Sequence, residues 1–285
     1  MIKRPPVSLR NRVSITLFIA LVCGCSVIDS TPPTITVAPP ITAAPTATWL
    51  PTSTPIPADS GWRLIRSGLE YRELNVMIEN RSDRLRMARV DPKQVRFRVR
   101  YEPDRPRRVG EWFDSDKTLL VVNGGYFDPQ KHALGLLISN GQVFGQSYRG
   151  FGGMFAINSD GVKIRWNIAQ PYVDGEGLTY ALQNFPMLVI PGGAPNTQID
   201  DNQQLALRTA VGQDRSGRIV FVVSPGGIFT LTGLGQWLAA SDLDLDAALN
   251  LDGGSSSGLL LRAGDQTLGV DSWVDVPDVI VVEAK

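Results

Sequence analysis

Two short segments concentrate the side chains that could do chemistry. In the run from Leu119 to Asp128, four apolar residues end in the amide of Asn123, then Gly124 and Gly125, with the carboxylate of Asp128 just beyond. From Ala247 to Gly258 the pattern repeats: Ala247, Ala248 and Leu249, then Asn250-Leu251-Asp252, then Gly253, Gly254 and the hydroxyl of Ser255. Glycine pairs free successive backbone N–H groups, which can form an anion-binding nest. A carboxylate placed beside such a nest, as Asp252 is, can serve as base or nucleophile next to a bound phosphate. Strand alternation puts Asn250 and Asp252 on one face and Leu249 and Leu251 on the other. Taken alone, each segment reads equally well as a Gly-rich turn whose Asn and Asp satisfy their own backbone.

Several chemistries are excluded by counting. His132 is the sole histidine, so a multi-histidine metal site is ruled out and a Ser-His-Asp hydrolase would have to use that residue. No Gly-x-Ser-x-Gly elbow, phosphate-loop or dinucleotide glycine pattern occurs. No cofactor is expected, although Asn123, Asp128 and Asp252 are competent ligands for a hard divalent cation.

These residues need elements to hold them, and the chain needs an address. Residues 1–12 carry Lys3, Arg4, Arg10 and Arg12 without an acid, and Val13 to Val22 is a ten-residue apolar run, too short to span a bilayer. Small residues then precede Cys25, as in lipoprotein precursors. The reading is a signal peptide over residues 1–24, a lipidated Cys25 with a Thr/Pro-rich tether over 25–60, and a folded domain over 61–285. Cys23 leaves with the signal and Cys25 carries lipid, so neither supplies a disulfide, a thiolate or a zinc ligand. The expected partners are therefore a membrane, through the anchor, and a substrate outside the cytoplasm. Of 28 basic residues the leader takes four, leaving 24 against 28 acidic ones, which is no footprint of a nucleic-acid binder.

Within the domain, Gln94 to Tyr101 alternates Val95, Phe97, Val99 and Tyr101 with Arg96, Arg98 and Arg100, a half-buried strand with a basic face. Asn140-Gly141, Asp160-Gly161 and the Asp214–Gly217 segment each separate apolar runs, as hairpin turns do. Val279 to Val282 reads as a closing strand. Thr232–Ser241 reads as a Thr-capped helix, and Gly177–Gln183 and Val109–Phe113 as short ones. The expected fold class is α+β: one strand-rich domain of mixed β-sheet with many hairpins and a few short helices.

In chain order, Asn123-Gly124-Gly125-Tyr126-Phe127-Asp128, Gln183-Asn184-Phe185-Pro186-Met187-Leu188, Arg208-Thr209-Ala210-Val211-Gly212 and Asn250-Leu251-Asp252-Gly253-Gly254-Ser255-Ser256 resemble the phosphodiester glycosidase family. The resemblance runs from about Arg63 to Val282, and Asn-Leu-Asp-Gly-Gly is its most specific part. It departs from the family at Ser255, often a third glycine, and at Ser272-Trp273-Val274, where relatives commonly show Arg-Pro-Val. The resemblance implies hydrolysis of a sugar-1-phosphodiester between the anomeric carbon and the phosphate oxygen. On that reading Arg208 and the Gly253-Gly254-Ser255 turn hold phosphate, with Gly124 and Gly125 as a second turn. Asp252 and Asp128 supply the nucleophile or base and its partner, and Asn123 and Asn250 orient sugar hydroxyls or those carboxylates. Two alternatives stay open: an envelope lipoprotein that binds a glycan or phosphopolymer without cleaving it, and a metal-dependent phosphodiesterase.

Overall fold

The computed structural model describes residues 57–285. The expected signal peptide, Cys25 and most of the tether lie outside the described residues. Strand pairing begins at once: Asn75 N donates to Ala58 O (2.7 Å), Asp59 bridges Leu74, and Ser60 N donates to Glu73 O (2.9 Å). Ordered contacts thus start a few residues ahead of the expected boundary at residue 61.

Eighteen strands follow. The first nine are β1 (Arg63–Arg66), β2 (Leu69–Ile78), β3 (Arg81–Val90), β4 (Val95–Tyr101), β5 (Thr118–Asn123), β6 (Leu137–Ser139), β7 (Gln142–Phe144), β8 (Gly153–Asn158) and β9 (Gly161–Trp166). Then come β10 (Tyr180–Asn184), β11 (Met187–Ile190), β12 (Ala194–Pro195), β13 (Ala206–Asp214) and β14 (Ile219–Phe229). After helix α1 (Leu231–Ala240) the chain closes with β15 (Leu245–Asn250), β16 (Leu259–Ala263), β17 (Gln266–Val270) and β18 (Asp278–Ala284). They form three sheets, ordered β1-β2-β3-β14-β13-β15-β11-β12, β7-β6-β10-β8-β9 and β17-β16-β5-β18-β4.

Two parts of the expected class change. The domain is mostly β rather than α+β, with one α-helix among the described residues. The sheets are antiparallel rather than mixed, because the strands are joined largely by hairpins and loops, without the crossover helices that parallel neighbours need. The hairpins at Asn140-Gly141, Asp160-Gly161 and Asp214–Gly217 form as expected. The helix expected at Gly177–Gln183 does not: Tyr180–Asn184 is a buried strand paired with β6 and β8, so sheet partners on both sides override its local preference. Helix α1 is capped by Thr230, whose Oγ1 accepts from Gly233 N at 3.0 Å, two residues before the expected Thr232. Val109–Trp112 is a single 3-10 turn.

One core joins the sheets. Leu120, Phe155, Phe221, Leu249 and Ile280 all belong to it, and the ring of Phe97 on β4 meets Phe155 at 5.9 Å and Phe221 at 6.4 Å. Helix α1 covers the other face of the large sheet through Leu234 and Leu238. Two of the three β4 arginines are paired, Arg98 with Glu283 and Arg100 with Asp114, both at 2.7 Å. What positions the candidate site is where strands stop. Asn123, Asn184 and Asn250 end β5, β10 and β15, and Asp278 opens β18, so four buried polar residues from three sheets mark strand ends.

Candidate active site

Asp252 leaves β15 with its main chain fixed on two sides. Its N–H donates to Gly124 O at 3.0 Å, and its carbonyl accepts from Asn123 Nδ2 at 2.8 Å. Asn123 is fully buried, and its Oδ1 accepts from Thr209 Oγ1 (2.9 Å) and Gly258 N (3.0 Å). It is therefore a clamp that aims Asp252 by its backbone; with these bonds made, it has no free reach toward a sugar. Asn250 donates through Nδ2 to Tyr126 Oη (2.8 Å) and to Phe185 O (3.1 Å), while its buried Oδ1 has no partner.

The Asp252 carboxylate is half-buried and accepts from Gly253 N at 2.8 Å. Loss of hydration pushes its pKa up to about 6, against donors on Ser256 and Gly253 that hold it down. A second carboxylate, Asp278, went unnoticed in the sequence. It is buried, and burial pushes it up to about 8, with the charge of Asp252 adding to the rise. Asp278 Oδ1 accepts from Gly125 N at 2.6 Å, and Gly124 N donates to Asp278 O at 3.0 Å. Both N–H groups of the Gly124-Gly125 turn are thus spent on Asp278, and this turn offers no nest to an anion. Gly124 must lack a side chain: a Cβ there would sit 1.8 Å from Asp278 Oδ1. The Gly253–Ser255 turn is different. Gly254 takes φ +58°, and the N–H groups of Gly254 and Ser255 make no hydrogen bond among the described residues.

Arg208 on β13 is half-buried and anchored by carbonyls, donating from Nη2 to Gln204 O (2.7 Å) and from Nε to Phe229 O (3.3 Å). Desolvation lowers its pKa, with only the more distant charges of Tyr126 and Asp201 opposing. Arg208 has no ion pair among the described residues, and a half-buried guanidinium of that kind is suited to an anion from solution. The Tyr126 phenol feels both charges. Burial, then the Asp252 charge, push its phenol up to about 12, and Arg208 pulls it back. Its ring packs on Phe185 at 4.9 Å. In the sequence, the signal for Tyr126 is its place between the Asn123 amide and the Asp128 carboxylate of one motif.

Asp128 is placed apart from this cluster's hydrogen bonds. Its Oδ1 accepts from His132 N (2.8 Å), Oδ2 meets His132 Nδ1 at 3.2 Å, and its carbonyl accepts from Lys131 N (2.9 Å). These bonds close its own turn, and His132 is exposed. Among the described residues no three His, Cys, Asp or Glu side chains gather as a metal cage.

The family model for phosphodiester glycosidases matches residues 116–283, a span that holds Asn123, Arg208, Asp252 and Asp278. Among solved structures the chain is similar to the catalytic domain of zebrafish N-acetylglucosamine-1-phosphodiester alpha-N-acetylglucosaminidase, auto-inhibited by its pro-peptide. The TM-score is 0.60 at 19% identity, over 81% of this chain and 85% of that one. A hypothetical protein from Synechocystis is similar at TM-score 0.53 and 16% identity, over 77% of this chain and 62% of that one. No curated protein matches the chain in sequence. The two structures share its fold, and the matched span covers more than half of the sequence. The chain belongs to the phosphodiester glycosidase family.

Proposed function

We propose that the domain is a hydrolase that cleaves a sugar-1-phosphodiester at the anomeric carbon, acting outside the cytoplasm on a chain anchored through lipid at Cys25. The observation that carries this reading is the fixed placement of Asp252, whose main chain is held by Asn123 and Gly124 beside the free amides of Gly254 and Ser255; Arg208, a half-buried guanidinium with no ion pair among the described residues, is the candidate cation. Glycosidic cleavage passes through an oxocarbenium-like state, and a phosphomonoester leaves readily, so charge stabilisation matters more than acid help. Arg208, with the free amides of Gly254 and Ser255, takes the phosphate. Asp252, with its pKa near 6, is mostly ionised at neutral pH and still basic enough to attack the anomeric carbon or to activate water. Asn123 and Asn250 keep that carboxylate and Tyr126 in place. Export and anchoring rest on the leader sequence alone. The zebrafish enzyme's name gives an N-acetylglucosamine-1-phosphodiester as its substrate; for this chain the proposal is the bond, with the sugar left to experiment.

The test is turnover of a panel of sugar-1-phosphate diesters in heavy-oxygen water. Label appearing in the sugar supports the glycosidase. Label in the phosphate would make the protein a phosphodiesterase, and absence of turnover across the panel would make it a binder.

A further inference from the structure

Beside the site lies a cleft of about 270 Å³ whose walls have no role in the scheme above. Phe185 connects the two: its carbonyl accepts from Asn250, its ring packs on Tyr126 at 4.9 Å, and the same ring lines the cleft. Phe151 stands 5.6 Å from Phe185, and Trp166 and Ile168 complete an apolar wall. Phe151, Ile168 and Phe185 are 45%, 51% and 38% exposed, a grouping of large apolar side chains in water that folding alone does not favour. The polar part of the rim includes Gln198 and Asp200, both exposed and with side chains that make no hydrogen bond among the described residues.

We propose that this cleft is the subsite for one uncharged sugar ring, which stacks its C–H face on the aromatic wall while its phosphate turns past Tyr126 toward Arg208. This rests on the glycosidase reading and adds where the sugar sits and which kind it is. Three features select that occupant. The lining carries Asp200 as its charged group and no cation, so a phosphate or an acidic sugar is repelled there. Aromatic faces beside free hydrogen-bond acceptors match a molecule with an apolar face and a hydroxyl edge, as a pyranose is. The volume falls just under the roughly 300–1,000 Å³ of pockets that hold drug-sized ligands, which suits a single ring rather than a chain.

The experiment is a titration of the folded protein's tryptophan emission with uncleavable methyl hexosides and methyl hexosaminides, and separately with inorganic phosphate and octyl phosphate. A saturable change is expected with at least one neutral glycoside, abolished in Trp166→Phe and shifted to about tenfold weaker affinity in Phe151→Ala, whose exposed ring can be removed without opening the core. A response to octyl phosphate alone would make the cleft an apolar leaving-group site and overturn the proposal. So would a glycoside response that persists in Trp166→Phe, or no glycoside response at all. Because these ligands are not cleaved, the two readings fail separately. Saturation without turnover of any diester sinks the glycosidase and keeps the sugar subsite; turnover without saturation does the reverse.

Discussion

Asp252 and Asp278 bring two carboxyls into one poorly hydrated place, and they differ in what they touch. Asp252 is half-buried and its charge raises the Tyr126 phenol, whereas Asp278 is fully buried and spent on the Gly124-Gly125 turn. Replacing Asp252 by Asn is expected to lower turnover about 10³-fold or more, the scale of losing a nucleophile or essential base. Melting at pH 7.5 should hold or rise, because an ionised group short of water is removed; a large melting loss with near-normal turnover would reduce Asp252 to a turn residue. Asp128→Asn should cost less than about tenfold, since its bonds close its own turn. In wild type, turnover should fall as pH drops below about 6, where Asp252 takes up its proton. Stability runs the other way. A carboxyl whose folded pKa stands above its ordinary 3.8 holds its proton more tightly when folded, so its contribution is complete below about pH 4 and is lost as pH rises toward 8. Asp278→Asn should therefore raise the melting temperature at pH 8–9 by a few degrees and leave it unchanged at pH 4, as read by scanning calorimetry.

The elements matter through their last residues. Asn123 ends β5 and bonds to Thr209 on β13, to Asp252 after β15 and to Gly258 before β16, so one side chain ties two sheets and a loop. Asn123→Ala leaves buried donors and acceptors unpaired and should cost about 2–4 kcal/mol in denaturant unfolding, with turnover lost alongside because Asp252 is no longer aimed. Insensitivity of stability to this change would refute the clamp. The same elements show what the residues disclosed beforehand. Alternation and Asn-Gly or Asp-Gly pairs carried the hairpins, because both are local. Asp252 and Arg208 stand out in the sequence because a motif and a chemically competent side chain coincide there. Asp278 was hidden: it sits in Val276-Pro277-Asp278-Val279, which reads as the start of a strand, and only folding brings it to a turn more than 150 positions earlier. The helix expected at Gly177–Gln183 was lost for the same reason, since its two strand partners are distant or non-adjacent in the chain.

At the scale of the molecule, the domain's start is set by Asp59, which pairs with the buried Arg72 at 2.6 Å while Asp242 holds the other side of that guanidinium at 2.8 Å. A chain beginning at Pro57 should be about 1–2 kcal/mol more stable than one beginning at Ser60, which leaves Arg72 a single partner; equal melting of the two would remove Asp59 from the fold. In the full chain, Cys25→Ser should abolish incorporation of labelled fatty acid, and equal labelling of mutant and wild type would end the anchoring proposal. The strand order has a further consequence. β18 is the last strand in the sequence yet lies inside its sheet, between β5 and β4, and its first residue is the carboxyl that seats Gly125. β14 likewise closes against β3 from more than 120 positions away. Contacts of such long range form late, after the chain between them is available. The centre of the third sheet and the Asp278 support of Gly125 cannot form until residues 278–284 have been made. On this order the polypeptide stays extensible until β18 arrives, and the seat of Gly125 is completed last.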